Sequence, residues 1–182
     1  TQANTPRWQE TAHRNIGTVL HFILQQLSNS PMSAWLDLLN NNNQWEILLR
    51  QQNIPSSQLR SAAQTISSAL IQMTQSKKAR WIFDNKHDAI ESEYAISYRH
   101  QNNIKQFIID RTFITNNTRW IIDYKTSQMK NDETLESFLD IAKQRHQQQL
   151  ENYADALSKL DDKPIKLGLY FPLLDAWIQW DY

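Results

Sequence analysis

The sequence predicts an α/β molecule in which a central mixed β-sheet is flanked by helices and preceded by an N-terminal helical block. Three observations lead to this class. Apolar residues recur at helical spacing from about Arg14 to Met73. From Ala89 to Lys125 the pattern changes to strand-like runs rich in Ile, Phe, Thr and Trp. A long helical stretch then leads to two further apolar runs, Ile165–Phe171 and Ala176–Trp180. Helices, three strands, a helix and two strands in that order describe a layered fold.

The first helix is expected over about 14–27, where Ile16, Val19, Leu20, Ile23, Leu24 and Leu27 share one face. Gly17 and His21 lie together on a flank of that face. Gly costs a helix about 1 kcal/mol relative to Ala, so it marks close approach of another group. By spacing alone His21 reads as an ordinary histidine on a helix flank. Ser30-Pro31 breaks the chain, and 31–40 reads as a short helix with Trp35, Leu38 and Leu39 inward. A second short helix follows at 44–52. Pro55 suits a first helical position. From there Leu59, Ala62, Ala63, Ile66, Ala69, Leu70 and Met73 make a long amphipathic helix. Lys77, Lys78 and Arg80 form a small basic cluster, readable as a solvated face or as a phosphate contact.

A strand is expected over 89–99, around Glu93 to Tyr98. The next two strands flank Asn116-Asn117. Asn tolerates positive φ, so this pair makes a tight hairpin turn. Counting back from it sets Asp110 opposite Asp123, with Lys125 one pleat further on the same face. Phe107, Ile109, Phe113, Trp120, Ile122 and Tyr124 fall on the other face, and Ile108, Ile114 and Ile121 on the aspartate face. A helix over about 134–160 carries Leu135, Phe138, Leu139, Ala142, Leu150, Tyr153, Ala154, Leu157 and Leu160 inward. Gln149 and Tyr153 are neighbours on one face, with His146 one turn earlier.

Composition narrows the function classes. The chain has 182 residues, 40% of them hydrophobic, with seven Trp, which argues against disorder. It has no cysteine, which excludes disulfides and zinc–thiolate sites. Two glycines in all leave no Gly-rich phosphate loop. Zero formal net charge requires any nucleic-acid contact to be local. No run is long enough to cross a membrane, and no signal-peptide pattern is present. The chain begins at Thr1 rather than Met, the expectation for a fragment of a longer protein.

Directly opposed carboxylates destabilise a sheet unless a cation lies between them. Asp110, Asp123 and Lys125 therefore admit two readings. Hard oxygen donors suit Mg²⁺ or Mn²⁺, and a neighbouring lysine can hold a water or stabilise phosphoryl charge, which is the chemistry of metal-assisted phosphodiester hydrolysis. The other reading is an ion network in which Lys125 neutralises two aspartates.

The pattern Asp110…Asp123-Tyr124-Lys125-Thr126-Ser127 resembles the core of the PD-(D/E)XK nuclease superfamily. More narrowly it is similar to the RecB-like nuclease domains at the C-termini of UvrD-type helicases, RecB and AddA among them. Gly17-Thr18-Val19-Leu20-His21 matches that family's G-x-x-x-H helix, and Glu93 its next acidic strand residue. Ile109-Asp110-Arg111 matches I-D-R, Asp123 to Thr126 match D-Y-K-T, and Gln149 to Tyr153 match Q-x-x-x-Y. The resemblance runs from about Arg14 to the end in the family's motif order. Two positions depart from the superfamily's pattern. Phe107 stands where the family often has Gly, and Ile109 stands before Asp110 in place of the superfamily's proline, as is usual in this branch.

The resemblance implies a restriction-endonuclease-like core and a single nuclease domain over 1–182, mainly helical over 14–88 and sheet-based over 89–182. It implies that His21, Asp110, Asp123 and the Tyr124 carbonyl ligate Mg²⁺ or Mn²⁺. Lys125 becomes the catalytic lysine, Glu93 orients the site or a water, and Gln149 and Tyr153 hold the DNA strand. The implied activity is a metal-dependent deoxyribonuclease of exonuclease type, a module of an ATP-dependent helicase that processes DNA ends in recombination and repair. Its partners would be single strands from unwound duplex ends, an N-terminal helicase region of the same chain and a second helicase–nuclease subunit, in a bacterial cytoplasm. No Walker motif lies in these residues, so ATP chemistry belongs to that other region. The alternatives are a nuclease fold without activity that binds DNA or a partner subunit, and a helical interaction domain, which the hairpin and terminal strands disfavour.

Overall fold

Apolar residues spaced at one helical face in one half of the chain, and alternating in the other, build two compact units of different kinds. The computed structural model describes residues 7–35, 42–100 and 103–182. One unit comprises 1–83 with 172–175, and the other 84–171 with 176–182.

The first unit is helical. α1 (Arg7–Ser28) buries Val19, Leu20, Ile23, Leu24 and Leu27. It begins earlier than the apolar periodicity indicates. A single 3₁₀ turn, Met32–Ala34, follows Pro31, and Trp35 is buried beside Phe83 with ring centroids 5.2 Å apart. Leu38 and Leu39 of the expected short helix lie outside the described residues. α2 (Asn42–Gln51) and α3 (Ser56–Gln75) complete the packing, and the seven inward residues expected of α3 are all buried. Pro55 is the N-cap rather than the first helical residue, with ψ of 141°. The basic cluster lies on α4 (Lys77–Ile82), a helix not foreseen, which the Ser76 hydroxyl caps by accepting from Ala79 N–H at 3.1 Å. Its cations take local partners: Lys78 lies over Trp81, and Arg80 Nε donates to the Thr74 carbonyl. Among the described residues no helix is long and apolar enough to cross a membrane.

The second unit is a five-stranded sheet in the order β1-β2-β3-β4-β5. Its strands are β1 (Asp88–His100), β2 (Asn103–Thr115), β3 (Thr118–Tyr124), β4 (Ile165–Phe171) and β5 (Ala176–Asp181). Asn116 and Asn117 both have positive φ, 50° and 58°, as a two-residue primed turn demands. The ladder from Thr115↔Thr118 to Arg111↔Ile122 has the expected register. β3 and β4 are parallel, joined across the sheet by α5 (Leu135–Leu157), and the other neighbours are antiparallel. The sheet is therefore mixed, and the α/β molecule is consistent with a restriction-endonuclease-like fold.

The Thr134 hydroxyl caps α5 by accepting from Ser137 N–H at 3.2 Å. Phe138 meets Phe171 edge-on, which seats α5 on the sheet face that also carries Asp123, because Leu169 pairs with Asp123 and shares its face with Phe171. Leu135 and Leu160 are exposed, contrary to the expectation. α5 stops at Leu157, so Leu160 has left the helical stripe. Asp161, expected only to end the helix, accepts from both Nε and Nη2 of Arg119 on β3. At Gly168 a Cβ would overlap the Trp177 ring, so only glycine lets β4 carry that indole.

Candidate active site

β3 is buried along most of its length, and a charge brought there must be paired. Asp123, 4% exposed, is paired at once: Lys125 Nζ lies 2.7 Å from its Oδ2. Two residues apart on an extended chain, both side chains leave the same face of β3. The Lys125 backbone N–H donates to the Tyr170 carbonyl at 2.9 Å, carrying the parallel ladder one residue past Tyr124 and fixing the lysine's stem.

α5 closes the pair from above. Gln149 Nε2 donates to Asp123 Oδ1 at 3.4 Å, and its Oε1 accepts from Lys125 Nζ at 3.4 Å. The amide's orientation follows from charge: its NH₂ meets the carboxylate and its oxygen meets the ammonium. The same NH₂ donates to the Tyr153 hydroxyl oxygen at 2.6 Å. Tyr153 therefore acts as an acceptor here, and its own proton is available to donate. Burial pushes the Tyr153 hydroxyl pKa up, the bond from Gln149 opposes this, and the charges of Asp123 and Asp110 raise it further. Both carboxylates thus act on the α5 side of the sheet.

Asp110 lies where β2 and β3 begin to part. The recorded ladder ends at Arg111↔Ile122, and Asp110 Oδ2 accepts the Tyr124 backbone N–H at 2.7 Å. A side chain thereby takes the donor that a continued ladder would give to a backbone carbonyl. On the other side, Ser92↔Arg111 and Tyr94↔Ile109 set Glu93 opposite Asp110. Their carboxylate oxygens lie within 4.8 Å of one another. Glu93 holds φ at 50°, a left-handed conformation that costs a non-glycine residue on the order of 1–3 kcal/mol. Like charges this close favour a cation between them.

The sheet unit thus brings together Asp123, Lys125, Gln149 and Tyr153 in one bonded network, and Glu93 and Asp110 in an adjoining acidic pair. His21 lies on α1 in the helical unit, next to buried Leu20. The donors in the sheet unit are hard carboxylate oxygens, the set that Mg²⁺ and Mn²⁺ take, so these residues fit such an ion.

Two residues near the site are not among the sequence candidates. His146, one turn before Gln149, has its pKa lowered by burial and by Lys125, with Asp123 and the bond to Gln149 acting the other way. Its signal was the helical spacing to Gln149. Phe107 is the other. Strict alternation puts it on the face away from Asp110, yet its ring meets Tyr153 edge-on, centroids 5.3 Å apart. The contact lies on the stretch of β2 beyond its last pairing with β3, at Arg111↔Ile122. On the opposite face Arg111 is fully buried and donates to Ser92 Oγ at 3.0 Å. Burial lowers its pKa, while Tyr124 and Asp84 act against that.

No curated protein matches the chain at significant similarity. The sequence matches the PD-(D/E)XK nuclease superfamily over residues 2–175, nearly its whole length, and the chain belongs to that superfamily.

Proposed function

We propose that the chain is the Mg²⁺- or Mn²⁺-dependent deoxyribonuclease module of an ATP-dependent helicase–exonuclease that processes DNA ends in recombination and repair. Membership of the superfamily makes metal-dependent nuclease chemistry on DNA the general activity. The observation that carries the reading is the buried Asp123–Lys125 pair held by Gln149, with Asp110 and Glu93 beside it. The helicase context, the exonuclease mode, a second subunit and a bacterial cytoplasm rest on the motif resemblance alone.

In this reading Asp110, Asp123 and the Tyr124 carbonyl hold the ion, and the G-x-x-x-H pattern nominates His21 as a further ligand. Bound there, the ion supplies Lewis acidity toward a phosphoryl oxygen and favours ionisation of water. The chain's own residues do the rest. Glu93 orients a water. Lys125, a three-proton donor with two contacts already made, offers a hydrogen to the water or to a phosphoryl oxygen as charge develops. Gln149 keeps Lys125 and Asp123 in register, and Tyr153 donates its free proton to the strand. Hydrolysis adds water across one ester bond: hydroxide joins phosphorus, the P–O bond to the leaving sugar breaks, and a proton returns to that oxygen.

The test is cleavage of linear single-stranded DNA by the purified chain, with and without Mg²⁺ or Mn²⁺. Metal-dependent cutting is expected, with Asp123→Asn and Lys125→Met each slowing it by on the order of 10²–10³-fold or more. No cutting by the unaltered chain, or cutting that Asp123→Asn leaves unchanged, would falsify the assignment and favour a fold that only binds.

A further inference from the structure

Where the β1–β2 ribbon passes α5, the sheet unit opens a cleft of about 620 Å³. Ile96, Ser97, Gln106, Phe107, Ile108 and Tyr153 line it. None of these side chains carries a charge, so the cleft is poorly suited to a phosphate. It offers instead two aromatic rings, aliphatic surface, one amide and two hydroxyls, those of Ser97 and Tyr153. Ile108 is 56% exposed, an apolar group left in solvent at the rim. Tyr153 belongs both to the cleft and to the reaction centre, since its hydroxyl meets the Gln149 amide that bonds Asp123. The cleft therefore starts one side chain away from the carboxylate–lysine pair.

We infer that this cleft is a nucleobase pocket, holding one unstacked base of the DNA strand next to the phosphate under attack. The inference rests on the nuclease reading and adds its substrate class. A planar, uncharged heterocycle can lie against Phe107 and Tyr153, while Ser97 and Gln106 address its hydrogen-bonding edge. Stacking on aromatic rings tolerates any base, because every base has a π-face. A base seated here must leave its neighbours, which a single strand or frayed end allows at little cost and an intact duplex resists. The volume is that of small-molecule sites, about 300–1,000 Å³. The residue that builds the pocket's wall is Phe107, where the resembled family often carries glycine, so the pocket belongs to this chain rather than to the fold.

The experiment scans a single-stranded oligonucleotide with one abasic site moved along it, and in parallel with one 2-aminopurine. Cleavage of the unaltered chain should fall by roughly 5- to 100-fold when the missing base lies at one fixed distance from the cut, as loss of one base–aromatic stack predicts. Fluorescence of 2-aminopurine at that same position should be quenched on binding without added divalent ion. Phe107→Leu, which keeps apolar volume and so the fold, should flatten the scan and remove the quench, and Phe107→Trp should restore both. A flat scan with no position-specific quench in the unaltered chain overturns the pocket, even if the intact strand is cut and Asp123→Asn stops the cutting. Position-specific quenching without any cutting keeps the pocket and removes the nuclease assignment, so the two failures are distinguishable.

Discussion

The helical unit and the sheet unit bury polar groups in opposite ways. Among the described residues, the helical unit buries Ser28 and Ser76, and both are satisfied within a turn of their own chain: Ser28 Oγ donates to the Leu24 carbonyl, and Ser76 caps α4. The sheet unit buries Arg111 and Thr112, whose partners come from other strands, and Asp123, which is paired with Lys125. Asp123 is also met by Gln149 of α5. A hydroxyl bonded to its own helix costs little. A buried carboxylate costs several kcal/mol before its pairing is counted, and such pairs seldom stabilise a fold relative to apolar packing. The sheet unit tolerates this cost at the position where the chemistry would occur, whereas the helical unit spends its interior on packing alone.

The contrast can be broken most directly in the helical core. Ile66 on α3 is fully buried among apolar neighbours. Ile66→Ala should lower unfolding free energy by about 2–5 kcal/mol, measured by denaturant titration, while cleavage per folded molecule stays near the unaltered value. A variant that folds normally but cuts slowly would show that the helical unit contributes more than packing.

A smaller loss is expected at the far side of the sheet unit. Gly168→Ala would drive a methyl group into the Trp177 ring, and overpacking of this kind costs about 1–3 kcal/mol. Thermal unfolding reads the effect, and adding Trp177→Leu should recover most of it. Without that recovery, the close approach of the indole is not what requires glycine.

The mildest effect concerns pH. His146 has a folded pKa below its ordinary 6.5, chiefly through burial, so the folded chain disfavours its charged form. The unfolded chain then binds the proton more readily. Stability is complete above pH 6.5 and is lost as pH falls through the lower folded value. Replacing the group by His146→Gln should flatten that part of the profile with divalent ions chelated. An unchanged profile would assign the acid sensitivity to other groups.

Much of the site was legible because it depends on local geometry. Asp123 and Lys125 share a face through simple alternation, and Gln149 and Tyr153 share one through helical spacing. The Asn116-Asn117 turn carried the register back to Arg111, since a two-residue loop leaves no slack. Other relations were not legible. Nothing in the spacing of α5 says that its Gln149 face lies on Asp123 rather than in solvent; the crossover between parallel β3 and β4 decides that. The pairing of Glu93 with Asp110 needed the register of β1, which shifts between Asp88 and Glu91 and includes a left-handed residue that no propensity assigns to Glu.

The sequence by itself determined the strand and helix order, the tight turn and the donor types, because periodicity and side-chain chemistry are properties of neighbouring residues. Tertiary structure alone decided that Gln149 bridges Asp123 and Lys125, and that Phe107 meets Tyr153. These depend on where the β1–β2 ribbon outruns β3 and where a helix is returned to its sheet, and both are set by packing between segments distant along the chain.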